Sequence, residues 1–241
     1  MNATRDIDLS ADLGEGSACE DEIWPLIGSA NVACGGHTGD AASMREAVRF
    51  ARLHSVRLGA HPSYPDREHF GRRSMDLPSE ELRRSLISQV TTLRDIATEE
   101  GVRLRHVKPH GALYNDLHLD AKRATVVADA MLEVDPSLSI VCGETSAMAA
   151  VAQQRGLRII REAFADRRYT PDGSLVSRSD PRACLGIEDA AEQARLLARE
   201  GCVVTVDGSR LPLEFDTLCV HADMENAVAR LQAIRSALFD R

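Results

Sequence analysis

Residues 7–12 read Ile-Asp-Leu-Ser-Ala-Asp, and the strict alternation of this short run decides the fold. Successive side chains of a strand point to opposite faces, so Ile7, Leu9 and Ala11 share one face while Asp8, Ser10 and Asp12 share the other. A strand of an open parallel sheet, covered by helices on both sides, reads instead as a nearly continuous apolar run. The pattern recurs along the chain. Ala30 and Val32 oppose Asn31 and Ala33, with His37 on the parity of Asn31. Val107 opposes His106 and Lys108, and Leu218 and Val220 oppose Thr217, Cys219 and His221. Helices on one side and a polar interior on the other predict an α/β fold: a single β/α barrel of about seven strands, regular or distorted, over residues 1–241.

Working outward, strands are predicted over 7–12, 30–34, 56–60, 104–108, 139–142, 158–163 and 217–220. Helical periodicity covers 41–53, 80–100, 121–132, 147–154, 188–200 and 226–238. Asp207-Gly208 marks a turn, so 203–213 reads as a small hairpin before the last strand.

Composition narrows the partners. The formal net charge is −8, which argues against nucleic acid, since phosphate binding needs a basic footprint. The first residues, MNATRDIDLSADLGEG, carry acids where a secretory leader would carry an apolar run. No stretch approaches the ~18 consecutive apolar residues of a membrane span. Cys19, Cys34, Cys142, Cys184, Cys202 and Cys219 form no C-x-x-C pair and are expected as reduced thiols, which places the protein in the cytoplasm.

Four of the eight histidines stand just past predicted strands: His37, His61, His110 and His221. Active sites of β/α barrels gather at the C-terminal ends of strands, where the loops converge on one mouth. Asp12 ends the first strand and Lys108 the fourth, while Glu162 and Asp166 flank the end of the sixth. Any one of these histidines alone reads most simply as a structural residue; five or more strand ends contributing polar groups is harder to explain that way. His106 is expected as support within the lumen, His54 as a surface residue, and His69 and His118 as exposed loop residues. Lys108 lies on a strand face where a fully solvated ammonium is unexpected, so it pairs with Asp12 or Glu162 or meets an anionic substrate. Arg72-Arg73 and Arg167-Arg168 are candidates to clamp a carboxylate or phosphate, with surface exposure the plain alternative.

Several motifs are absent. There is no G-x-x-x-x-G-K-[ST] loop, no complete G-x-G-x-x-G fingerprint, no G-x-S-x-G and no H-E-x-x-H. A metal site built from dispersed Asp and His side chains stays open.

DLSADLGEG, SANVACGGHTGD, GAHPSYPD, FGRR, HVKPHGALYN, FADRRY, DG-LV-R and DTLCVHAD follow one another in an order and spacing that resemble the LamB/YcsF family, from Asp8 to Asp223. The resemblance implies a β/α barrel related to glycoside hydrolases and deacetylases. It also implies cleavage of the cyclic amide 5-oxo-L-proline to L-glutamate, coupled to hydrolysis of ATP with Mg2+, by an A subunit working with B and C subunits. Carried over motif by motif, it points to Asp12, His37, Asp40, His61, Lys108, His110, Asp166 and His221. Ser10, Gly36, Thr38 and Ala222 replace the asparagine, phenylalanine, alanine and glycine common in those motifs, changes that bear on pocket shape rather than on titratable groups.

A five-membered lactam is resonance-stabilised and its oxygen leaves poorly, which makes ATP coupling reasonable. Lys108 and an arginine are candidate cations, Asp12 or His61 the base, and His110 or His221 the acid. Two rivals stand beside this reading. One is a metal-dependent deacetylase or amidase with Asp12, His37 and His61 as ligands. The other is a non-catalytic subunit that presents a lactam to its partners.

Overall fold

Among the described residues, nine strands follow one another in chain order: β1 (Asp8–Leu13), β2 (Ser29–Ala33), β3 (Arg57–His61), β4 (Leu104–Val107), β5 (Ser139–Cys142), β6 (Arg158–Phe164), β7 (Cys202–Val204), β8 (Arg210–Pro212) and β9 (Thr217–Cys219). Seven of them, all parallel, close into a barrel in the order β1-β2-β3-β4-β5-β6-β9, and β9 returns to β1. The hairpin read around Asp207-Gly208 is present as the antiparallel pair β7 and β8. The structure, a computed structural model, describes residues 7–240; the leader reading of residues 1–6 therefore lies outside the described residues.

The alternation that predicted a barrel is realised side chain by side chain. Leu9, Ala11 and Leu13 are buried toward the helices. On the inner face Ser29 and Thr217 donate to Asp8 Oδ2 at 2.5 and 2.9 Å, and Thr217 Oγ1 reaches Ser10 Oγ at 3.1 Å. The lower lumen is thus a hydrogen-bonded polar layer, which is what lets polar residues occupy an interior at all. Gly59 on β3 makes room for it: a β-carbon there would lie 2.1 Å from His106 Nε2.

The helices are α1 (Glu20–Ile23), α2 (Ala41–Leu53), α3 (Ser79–Glu99), α4 (Gly111–Leu119), α5 (Ala121–Val134), α6 (Ala147–Gln154), α7 (Ile187–Glu200) and α8 (Ala227–Phe239). Their apolar stripes form one core with the outer strand faces. On α3, Leu82, Leu86, Val90, Leu93 and Ala97 recur at helical spacing and are buried, each large side chain stabilising by about 1.5–3 kcal/mol.

Two elements depart from the sequence reading. A short helix and a 3-10 turn place Trp24 in the core, stacked on Phe50. Residues 111–119 form α4 rather than a loop, so His118 lies on a helix and lines the cavity described below. His110, at the N-cap of α4, makes no capping bond, and Gly111 has φ +58°, so none of the usual start signals marks this helix. All six cysteines are free thiols, with Cys34 and Cys219 buried as expected. No helix among the described residues is long and apolar enough to cross a membrane.

Candidate active site

The C-terminal ends of the barrel strands open into a cavity of about 530 Å³, lined among others by Asp12, Glu15, His61, Lys108, His110, Glu162 and His221. Strand polarity puts them there: Asp12 is near the end of β1, His61 ends β3, Lys108 follows β4, and His221 follows β9.

At the floor stands Lys108, 3% exposed. Its Nζ donates to Asp12 Oδ1 and Oδ2 at 2.9 and 3.1 Å and lies 2.8 Å from Glu162 Oε1, while Cys219 Sγ is 3.2 Å away. Burial opposes the ammonium, but Asp12 foremost among its carboxylate neighbours outweighs it and holds the lysine well above its ordinary pKa. Burial likewise opposes the Asp12 carboxylate, and His61 and Lys108 outweigh that and hold it well below the usual range. A relay supports Asp12 from beneath: His106 Nε2 donates to Asn31 Oδ1 at 2.9 Å, and Asn31 Nδ2 donates to Asp12 Oδ1 at 2.9 Å. His106 is therefore lumen support, as its parity predicted. Burial pushes its imidazole down to about 3, so it serves as a neutral donor.

One wall is a histidine cluster. His61 Nδ1 donates to the Lys108 carbonyl at 2.7 Å, and its Nε2 lies 3.3 Å from Asp12 Oδ2. His110 Nε2 donates to the Phe70 carbonyl at 2.9 Å, and its Nδ1 faces His61 Nε2 at 3.0 Å. His37 stacks on His110 with ring centroids 3.7 Å apart and donates from Nε2 to Glu15 Oε1 at 2.9 Å. It stands behind the cavity wall rather than facing the open space. Burial drives both His37 and His110 down to about 2, so both are neutral.

Glu15 is a member that the sequence reading missed. Gly14 and Gly16 have φ +74° and +82°, a region that favours glycine, and they turn Glu15 into the mouth. The Glu20 carboxylate fixes this loop by accepting the amides of Gly14, Glu15 and Ser17 at 2.8, 2.9 and 3.1 Å. Burial pushes Glu15 up to about 7.

The opposite wall holds His221. Asp166, fully buried, accepts from the His221 backbone amide at 2.8 Å and from Nδ1 at 2.9 Å, leaving Nε2 for the cavity. Burial opposes the charge on Asp166, but His221 outweighs it and keeps the carboxylate ionised. Asp166 is thus a positioning residue.

At the rim the arginine expectations are half met. Arg72 lines the cavity and pairs with Asp223, whose other partner is Arg178 at 2.9 Å. Arg178 and Asp223 stand in the DG-LV-R and DTLCVHAD motifs but were given no role from sequence. Arg73 is exposed and outside the lining. Arg167 is buried but also lines the cavity, its Nε and Nη2 donating to the carbonyls of Ala183 and Val176, and Arg168 faces Asp189 away from the cavity.

Asp40 does not belong to the site. It is the N-cap of α2, accepting the amides of Ala42 and Ser43 at 2.9 Å, with the Ser43 hydroxyl bonding back to its own amide in a capping box. Its motif position reflects the start of a helix, not chemistry.

The protein is thus a closed β/α barrel whose strand ends bring acids, histidines and a buried lysine to one mouth. The family model of the LamB/YcsF family matches residues 7–241, and the chain belongs to that family. It is 43% identical over 238 residues to the A subunit of 5-oxoprolinase from Histophilus somni, covering 98% of this chain and 96% of that one. The corresponding protein of Haemophilus influenzae strain PittEE is 43% identical over 223 residues, covering 92% and 91%. Among solved structures, the lactam utilization protein of Thermus thermophilus superposes with a TM-score of 0.90 at 40% identity, covering 96% of this chain and 95% of that one.

Proposed function

We propose that this chain is the ring-opening component of an ATP-dependent 5-oxoprolinase, working with B and C subunits to convert 5-oxo-L-proline to L-glutamate in the cytoplasm. The observation that carries the reading is the pairing across one cavity of the Lys108–Asp12–Glu162 cluster with the Asp166-held His221. The names of the relatives from Histophilus somni and Thermus thermophilus support the substrate class.

Each requirement of lactam cleavage has a residue. Arg72 and Arg178 share the single carboxylate of Asp223 and keep donors for the carboxylate of the substrate. Lys108 stabilises charge that develops on the oxygen of the scissile amide. Asp12, held by Asn31 and Lys108, takes a proton from the attacking water, and His221 Nε2 delivers one to the ring nitrogen as the C–N bond breaks. Phosphorylation of the lactam oxygen by ATP activates the ring carbon: one water adds to it, the C–N bond breaks as the nitrogen takes a proton to leave an acyl phosphate, and a second water releases phosphate and the new carboxylate. Lys108 is matched by two carboxylates and Arg167 donates to carbonyls, so Arg72 and Arg178, with one Asp223 between them, are the cations reserved for the substrate carboxylate. In this reading the phosphoryl step is assigned to the partner subunits.

The test is reconstitution. Glutamate formed from 5-oxo-L-proline and ATP is measured with the B and C subunits alone and with this chain added. The expected result is glutamate only in the complete mixture. Full-rate formation by the partners alone removes the catalytic reading and leaves a binding role, and formation by this chain without ATP favours an amidase.

A further inference from the structure

We infer that Glu15, His61 and His110 form a binding site for a divalent first-row metal ion at the barrel mouth. The site shares its cavity with the lactam reading but does not rest on it, because metal binding is measured without substrate.

Two backbone carbonyls carry the argument. A carbonyl oxygen only accepts, so the Lys108 carbonyl fixes His61 with its proton on Nδ1, and the Phe70 carbonyl fixes His110 with its proton on Nε2. With both rings in the neutral form a metal takes, the remaining nitrogens, His61 Nε2 and His110 Nδ1, present lone pairs to each other across 3.0 Å. Two lone pairs at that distance repel unless a cation or proton lies against both. Glu15 Oε1 completes a triangle, 3.3 Å from His110 Nδ1 and 3.8 Å from His61 Nε2. With metal–ligand bonds of about 2.1 Å, these edges correspond to ligand–metal–ligand angles of roughly 90–130°, within reach of tetrahedral or octahedral coordination.

The surroundings are those of a built metal site. Each imidazole donates its other N–H to a fixed carbonyl, the arrangement that holds metal-bound histidine in place. The Glu15 loop is clamped by Glu20, and His37 donates to the Glu15 oxygen that faces the cluster. All three ligands line the cavity, so further coordination positions open onto it beside Asp12, whose Oδ2 is 3.3 Å from His61 Nε2. The set differs from the Asp12, His37 and His61 grouping considered from sequence: the Nε2 of His37 is engaged by Glu15, and its ring lies behind that of His110. Two imidazoles with a carboxylate suit Zn2+, which serves as the probe.

The full chain is stripped with chelator, dialysed and titrated with Zn2+ alone by calorimetry, with thermal denaturation in parallel. One Zn2+ per chain and a higher melting temperature are expected. Glu15→Gln and His110→Gln each weaken binding at least ~10-fold, as loss of one direct ligand should, while His118→Gln, in the cavity wall outside the triangle, leaves it unchanged. X-ray absorption at the zinc edge of the wild-type protein shows two imidazoles, which keeps the test valid should a variant fold poorly. Absence of stoichiometric binding by the wild-type chain overturns the inference and leaves a shared proton between the two rings. Binding that survives in both ligand variants, or that vanishes with His118→Gln, also overturns it.

Discussion

Replacing Lys108 by methionine is expected to lower the melting temperature by roughly 10 °C and to cut turnover by roughly 10²–10³. The first effect follows from burial. Lys108 is 3% exposed, and its ammonium is paired with both Asp12 and the fully buried side chain of Glu162. Removing one partner of a buried ion pair strands the other at a cost of roughly 3–5 kcal/mol. At the few degrees per kcal/mol typical of a chain this long, that gives the stated shift. The second effect follows from position, since the ammonium stands at the cavity floor where charge develops. The double variant Lys108→Met with Glu162→Gln separates the two, because it removes one of the two stranded carboxylates. It should recover much of the lost stability while glutamate formation by the reconstituted subunits stays lower by roughly 10²–10³. A destabilised Lys108→Met protein that turns over normally at low temperature would refute a catalytic role for the lysine.

Asp166→Asn is expected to cut glutamate formation by roughly 10³–10⁴ with little change in KM, by analogy with the loss seen when the carboxylate that orients a catalytic histidine becomes an amide. As a carboxylate, Asp166 accepts both the amide and the Nδ1 proton of His221. An asparagine offers one acceptor and one donor. It can reverse the tautomer, placing the histidine proton on Nε2 and removing the Nδ1–H contact that supports the imidazolium. Binding of 5-oxo-L-proline should survive, because Arg72 and Arg178 are untouched. An equal rise in KM with an unchanged kcat would make Asp166 a scaffold for binding rather than for proton transfer.

The fold was legible because period two leaves little freedom. A strand with Asp8, Ser10 and Asp12 on one face can be satisfied only where that face meets other polar groups, and the closed lumen supplies Ser29, Asn31 and Thr217. The histidines and Lys108 were legible because they stand immediately after strands. Glu15 was not, although its signal was present: two glycines flank it directly after β1, and glycine at both sites permits the positive φ that turns an acid inward. Asp40 was misread although its own signal was clear, since Asp followed by Ser three residues later before an apolar stripe is a helix start. Arg178 and Asp223 could not be paired from sequence because their meeting depends on how the loop after β6 crosses the mouth. The tautomers that open the His61–His110 gap were equally out of reach, since they are set by carbonyls of Lys108 and Phe70 that only the fold brings into place.

The central claim is that the amide bond breaks in this barrel, and Asp12→Asn tests it with the smallest change. The substitution keeps the volume and leaves Lys108 its contact with Glu162, but removes the group proposed to take a proton from water. Glutamate formation is measured in the reconstituted assembly, after circular dichroism and thermal denaturation confirm that the variant is folded. The account predicts a loss of at least ~10²-fold, the range set by removal of a general base. A folded Asp12→Asn variant that supports glutamate formation at the wild-type rate would contradict it.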